Sequence, residues 1–338
     1  MAENVVDQIF SGLKENSREL YPDHGECKAI RLVGHTPKSD HYIYDAVLEF
    51  AMHHVRISCK IYRAKGAKEN SKLLARREYE NLSHAYEELE KHDLNGAPRP
   101  LGDFSEFAAV VAEKALGLPL QSIIMKAALL PGYADHPALK RAAVATGEWL
   151  RSFHKALGDG TVQLDPNAIL DDLEVVCTSC KTEGLEDGDI QLILTGAKQS
   201  LGKARRTVAA SAVLHEFTPL NVVLLDDQVF VSDFAKMADK GMALLDVAHF
   251  MAAIEALEKY PFCNREITST IQEDFLDAYG ISRQERGVVR VLKMRELLRM
   301  FAAGRNVKDT AVRKKVMWAN VMKKFIHQAA NRTLSNAA

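Results

Sequence analysis

Apolar residues recur every three or four positions at Val5, Val6, Ile9, Phe10 and Leu13, which predicts a short amphipathic packing helix near the start of the chain. The rhythm then changes. Runs at Lys28–Val33, Tyr42–Ala51 and His54–Tyr62 alternate apolar with polar side chains, most clearly at Val55, Ile57, Cys59 and Ile61, and predict an antiparallel meander. From Glu69 to Glu90 the helical period returns through Leu73, Leu74, Leu82, Tyr86 and Leu89. Gly96-Ala-Pro-Arg-Pro-Leu-Gly breaks that helix and leads into a short apolar strand, Phe107 to Ala112. Beyond it the pattern is mostly helical. A long helix is expected over His136–Leu157, with Leu139, Ala143, Leu150, Phe153 and Leu157 on one stripe, and another towards Arg206. Two short β-branched runs, Val222–Leu225 and Val229–Ser232, flank Asp226, Asp227 and Gln228 and read as a tight hairpin. Helices over Leu244–Lys259, Arg265–Tyr279, Arg283–Ala303 and Val307–Asn331 close the chain.

At 338 residues the chain can bury a full core, as one large domain or as two lobes. An apolar content of 47% and a charged content of 26% are those of an ordinary globular protein. No apolar run has the length of a membrane span, and MAENVVDQIF lacks the basic and apolar regions of a secretory leader. The expected compartment is the cytoplasm. Five cysteines suit it, as reduced packing residues, and the Cys177-Thr-Ser-Cys180 spacing lacks the second Cys or His pair that a zinc site needs.

Charge is nearly balanced at −1 but unevenly spread. Residues 158–190 carry nine acids and one base, and from Arg286 onward there are thirteen Lys plus Arg against two acids. Such segments either mark partner surfaces or neutralise each other in the fold. Basic amphipathic helices such as those near the C-terminus can also contact an anionic substrate or lie peripherally on a membrane. There is no internal repeat, and no basic patch interleaved with aromatics, so nucleic acid is not an expected partner.

The chemistry concentrates in Leu214–Asp246, LHEFTPLNVVLLDDQVFVSDFAKMADKGMALLD. Antiparallel pairing of the two short runs would set Asn221, before the first, across from Asp233, after the second. An amide oxygen and a carboxylate meeting there suit a hard divalent cation whose remaining ligands come from phosphate. Glu216 adds a carboxylate five residues before Asn221.

Glu216-Phe-Thr-Pro-Leu-Asn221, the hairpin and Asp233-Phe resemble the catalytic segment of the aminoglycoside/choline phosphotransferase family, H-G-D-F-x-P-x-N…D-F. The resemblance extends in order along residues 28–255. It covers Lys60 on the third strand, Glu78 on the following helix, E-K-A-L-G-L-P-L from Glu113, and Asp246 in L-D-V-A-H-F. It implies an α+β, protein-kinase-like fold of two lobes: a helix and small antiparallel sheet over 1–112 that bind nucleotide, and a larger helical lobe over 113–338. By the same resemblance ATP and Mg²⁺ are the cofactors. Lys60 would contact the α/β-phosphates and be held by Glu78 rather than Glu80, which lies about 200° around the helix. Backbone groups at Glu113, Lys114 and Ala115 would hold adenine, Asn221 and Asp233 would hold the metal, and Glu216 would accept the proton of a small-molecule or glycan hydroxyl. Asp246 would steady the catalytic loop, and His154 would be structural.

Three positions and one segment depart from the pattern. Leu214 and His215 stand where the family has His and Gly, Glu216 where it has Asp, and the segment Gly34–Asp40, in the place of a phosphate-covering loop, has one Gly rather than three. The extra methylene of Glu216 moves the carboxylate by about an ångström, which can cost on the order of 10²-fold in rate. Two functions are compatible with this: an active phosphotransferase, or a silent pseudokinase serving as a nucleotide-binding or scaffold module.

Overall fold

The computed structural model describes residues 2–63, 68–130, 132–260, 262–305 and 312–335. It opens with helices α1 (Ala2–Glu15) and α2 (Ser17–Leu20), strands β1 (Ala29–Pro37), β2 (His41–Glu49) and β3 (His54–Tyr62), and helix α3 (Lys68–Lys91). Strands β4 (Pro100–Phe104), β5 (Ala109–Glu113) and β6 (Leu118–Pro119) come next, then helices α4 (Leu120–Leu129) and α5 (His136–Ala156). Strand β7 (Gly158–Gln163), helices α6 (Pro166–Thr182) and α7 (Asp187–Leu201), and strands β8 (Thr207–Val213), β9 (Val222–Leu225), β10 (Gln228–Val231) and β11 (Ala238–Met242) lead to the closing helices. These are α8 (Leu244–Glu255), α9 (Arg265–Tyr279), α10 (Arg283–Arg305) and α11 (Val312–Ser335). Residues 307–311 of the last expected helix lie outside the described residues.

The chain divides into two compact units, Met1–Gly117 with Gln228–Met237, and Leu118–Asp227 with Ala238–Ala338. The first division thus falls five residues later than the expected end of the β-rich part, so Glu113, Lys114 and Ala115 belong to the first unit, as does Asp233. The passage back into the first unit runs through the turn after β9, where Asp226 takes a left-handed φ of 54°.

In the first unit five strands form one antiparallel sheet in the order β1-β2-β3-β5-β4. Alternation gives it two different faces. Ala46, Leu48, Ile57, Cys59, Ala109 and Val111 line one face and pack with Ile9 and Leu13 of α1, so the first amphipathic stripe is indeed a packing element. Three expectations need correction here. Most of Gly34–Asp40 is strand, with a bulge between Leu32 and Gly34. The break at 96–102 ends inside β4, and β5 begins only at Ala109, because Ser105–Phe107 form one 3₁₀ turn and Ala108 a left-handed residue with φ 55°. On α3, Leu73 and Leu74 are exposed, and the buried row is Ser71, Ala75, Glu78, Leu82, Ala85 and Leu89. A polar Glu78 in that row hides it from a reading by hydrophobicity alone.

The second unit is mainly helical, with a three-stranded antiparallel sheet β11-β8-β7 and the pair β6-β9. Rings stack through its centre: Trp149 on Phe153 and on Phe217 at 5.3 and 5.9 Å, and Phe250 on Phe275 at 4.1 Å. Helices α5 and α9 approach closely at Gly147, where a Cβ would sit 2.6 Å from the Phe275 carbonyl oxygen. Any larger residue there would force the helices apart. Cys177 and Cys180 are buried free thiols, pushed up by burial to about 11 and about 12.

Acidic and basic segments meet within this unit. Asp172 on α6 pairs with Arg295 and Arg299 on α10 at 2.9 and 3.1 Å, Glu186 with Lys323 on α11 at 2.6 Å, and Asp189 with His327 at 2.6 Å. Part of the charge asymmetry is therefore internal neutralisation. Glu296 is a buried member, which bonds His249 at 3.0 Å and Arg295 at 2.8 Å. Burial would push this carboxyl up; His249, Arg295 and Arg299 overcome burial and hold it down to about 2.

A carboxyl depressed in the folded state stabilises the protein above its unfolded value, and that stability is lost as pH falls through the folded value. Relative to an ordinary Glu near 4.3, the contribution is about 3 kcal/mol at neutral pH, disappearing between about pH 5 and pH 2. Glu296→Gln should therefore lower unfolding free energy at pH 7 and flatten its acid dependence. Denaturant titrations at pH 7 and pH 3 check this, and a variant that loses as much stability on acidification as the parent contradicts it.

Candidate functional site

In the first unit the site is built on β3 and α3. Lys60 and Tyr62 alternate with Cys59 and Ile61, so both leave the α1 face of the sheet. Lys60 Nζ donates to Glu78 Oε1 at 2.9 Å and lies 3.5 Å from Asp233 Oδ2, while Tyr62 donates its hydroxyl to Glu78 Oε2 at 2.5 Å. Burial alone would lower the Lys60 ammonium; the carboxylates of Glu78 and Asp233 more than offset it, so the group is held above its ordinary value and charged. Glu80 instead pairs with Arg76 on the exposed side of the helix.

Asp233 is held from both sides. Its Oδ1 accepts the Ala235 N–H at 3.0 Å, and the chain after it is tied to α3 by Asn81, whose amide donates to the carbonyls of Phe234 and Met237 at 2.8 and 3.1 Å. Before it, Val231 N–H donates to Gly96 O at 2.8 Å. Sequence reading missed Tyr62 and Asn81. Their signals are positional: Tyr62 is two residues from Lys60 on one strand face, and Asn81 one turn after Glu78.

At the end of β5, Glu113 N–H donates to Arg99 O at 2.9 Å and Lys114 N–H to Arg56 O at 2.8 Å. The Glu113 side chain accepts from the Tyr21 hydroxyl at 2.7 Å, and Lys114 Nζ pairs with Asp45 Oδ2 at 2.6 Å.

In the second unit a single carboxylate organises the loop that carries Glu216. Asp246 is fully buried at the start of α8; its Oδ2 and Oδ1 accept the backbone N–H groups of Leu214 and His215, each at 2.8 Å. His154 Nε2 meets Asp246 Oδ2 at 3.1 Å, and Nδ1 meets the Tyr279 hydroxyl at 2.8 Å. A carboxylate only accepts, so Nε2 carries a proton and donates it to Asp246. His154 is thus a structural link and not a ligand. Its partner Tyr279 could not be read from spacing.

Phe217, fully buried, anchors the loop in the aromatic centre. Asn221 Nδ2 donates to Glu216 O at 3.0 Å, and Asn221 N–H to Thr218 O at 2.9 Å, so the turn is closed by the residues the motif names. His215 adopts a left-handed φ of 60°. A non-glycine residue there costs on the order of 1 kcal/mol.

No family model and no curated protein sequence matches the chain. Solved structures do. A choline/ethanolamine kinase family protein from Mesorhizobium loti aligns over 98% of this chain and 99% of its own, with TM-score 0.55 and 14% identity. A choline kinase from Cryptosporidium parvum Iowa II aligns over 98% and 97%, with TM-score 0.55 and 12% identity. An amicoumacin kinase in complex with AMP-PNP, Ca²⁺ and Ami aligns over 95% and 96%, with TM-score 0.54 and 11% identity. The chain has a protein-kinase-like fold.

Within that fold the α3 carboxylate on a strand lysine and the buried aspartate under a loop are both present, while Leu214 and His215 differ from the sequence pattern. Among the described residues no group of three or more His, Cys, Asp or Glu side chains is placed to hold a metal by itself. Oxygen donors such as the Asp233 carboxylate are of the kind a hard divalent cation arriving with phosphates would take, one or two from the protein. Also among the described residues, no helix is long and apolar enough to cross a membrane.

Asp246→Ala would leave two buried N–H groups and His154 without their acceptor. At about 1–3 kcal/mol for each unsatisfied group, the expected loss is on the order of 4 kcal/mol in chemical denaturation, far beyond an ordinary surface change. A loss under about 1 kcal/mol would show that the loop is held by something else.

Proposed function

We propose that this protein is an ATP- and Mg²⁺-dependent phosphotransferase acting on a hydroxyl of a small molecule or glycan. The observation that carries the reading is the buried Lys60 ammonium shared by Glu78 and Asp233 in a protein-kinase-like fold. The similar solved structures named above are small-molecule kinases, which supports the same class. Bound ATP with Mg²⁺ would supply the γ-phosphoryl group and the charge that makes it transferable.

Lys60 orients the α/β-phosphates, and Glu78, fixed by Tyr62, keeps the ammonium from swinging away. Asp233 is a metal ligand, and Asn221 keeps the metal role that the resemblance gives it. Glu216 accepts the acceptor's hydroxyl proton as the new oxygen–phosphorus bond forms and the bond to the leaving diphosphate breaks. Because phosphoryl transfer has a loose transition state, positioning and charge neutralisation outweigh the strength of the base. A Glu in place of Asp is compatible with turnover for that reason.

Thermal shift with ATP and Mg²⁺, followed by ATP consumption with a panel of hydroxyl acceptors, tests this. Asp233→Ala should eliminate turnover, whereas Glu216→Ala should lower it by about 10²-fold or more and leave nucleotide binding nearly unchanged. Glu216→Asp, by restoring the shorter side chain, should raise the rate if the methylene is a handicap. Nucleotide binding with neither hydrolysis nor transfer would favour the pseudokinase instead, and native turnover by Asp233→Ala would remove the metal assignment.

A further inference from the structure

The second face of the five-stranded sheet has a chemistry of its own. Register places Ile43 opposite Lys60 and Lys60 opposite Val110, and one step along, Asp45 opposite Ser58 and Ser58 opposite Ala112. Directly paired residues of antiparallel strands share a face, so these six side chains lie on the side of the sheet away from α1. Ser58 is two residues from Lys60, about 7 Å along the strand, in the direction of Lys114. In the proposed function Lys60 takes the phosphates, and the resemblance gives the base to residues 113–115. A nucleotide reaching from one to the other crosses the place of Asp45.

Asp45 is half used. Its Oδ2 is 2.6 Å from Lys114 Nζ, while its Oδ1 is buried and has no hydrogen-bond partner among the described residues. A buried acceptor left unsatisfied is costly, so this oxygen favours any ligand that brings it an N–H donor. Lys114 fixes the carboxylate by holding the other oxygen.

We propose that Asp45 is the residue that reads the purine base, Oδ1 accepting a hydrogen bond from the 6-amino group of adenine while Lys114 holds the carboxylate in place. The inference rests on the phosphotransferase reading above. Hypoxanthine and guanine present a carbonyl oxygen at position 6, which a carboxylate repels. The site therefore prefers ATP, and the preference is chemical rather than steric. Because the pair is partly open to solvent, discrimination is smaller than in a sealed site, on the order of 10- to 100-fold.

Dissociation constants of ATP and inosine triphosphate, measured by calorimetry with Mg²⁺ on the full chain, test this. Asp45→Asn should lower the ATP preference at least tenfold, because the amide can turn an N–H donor towards the 6-oxo group. Asp45→Ala should weaken ATP and tighten inosine triphosphate modestly, because the repulsion of its 6-oxo group goes with the carboxylate. Lys114→Ala should weaken ATP without reversing the preference. Thermal melts confirm that each variant is folded, and the alanine variant answers the question if the asparagine variant does not fold. A ratio equal to the parent's in a folded Asp45 variant overturns the proposal alone. If neither nucleotide binds the parent protein, the phosphotransferase reading falls and this one with it; Lys60→Ala, expected to weaken both nucleotides equally, separates phosphate recognition from base recognition.

Discussion

Charge taken out of water has to be met by opposite charge or by hydrogen-bond donors, and two carboxylates impose that requirement on this protein. Glu78 lies in the buried row of α3 and is answered by Lys60 and the Tyr62 hydroxyl. Asp246 is answered by two backbone N–H groups and an imidazole. Neither could be buried alone. Each therefore dictates its surroundings: Glu78 ties the helix of the first unit to its central strand, and Asp246 shapes the loop that presents Glu216.

Glu78 and Asp246 also explain which parts of a familiar motif can change. The backbone at 214–216 is set by Asp246 through N–H groups, which every residue but proline possesses. Leu214 can replace a histidine without disturbing those bonds, and His215 can replace a glycine at a modest conformational cost. Glu216 differs in kind, because in the proposed function its carboxylate meets the reacting hydroxyl, and an added methylene moves it directly. The chemical weight of the departures falls on that residue.

Electrostatics on a larger scale act in the second unit. The acidic helices α6 and α7 and the basic helices α10 and α11 are opposite in charge and pair across Asp172, Glu186 and Asp189. Part of the charge that stands apart in the sequence is thus paired internally. Glu255 and Glu258 extend the same pattern by pairing with Arg332 at 2.9 and 2.7 Å. Exposed pairs such as Glu186–Lys323 contribute little one by one; Glu296, buried among His249, Arg295 and Arg299, contributes more.

Much of the fold was legible in the chain because it rests on local periodicity. A period of two marked β3, a period near four marked α1 and α5, and β-branched runs around Asp226-Asp227 marked β9 and β10. The order Lys60, Glu78, Asp233 and Asp246 was legible through the resemblance, which carries such residues in the same succession. What periodicity could not supply was partnership. His154 and Asp246 are 92 residues apart, and Asp172 and Arg295 are 123 apart, and nothing in the intervening chain records that they touch. The buried row of α3 was obscured because it includes a glutamate, whose burial makes sense only once a lysine from another strand stands opposite. The sequence by itself thus determined which segments become helices and strands and which carboxylates are available. Tertiary structure alone decided which of them meet a cation, because a contact between distant residues depends on how whole elements pack and not on any pattern within one of them.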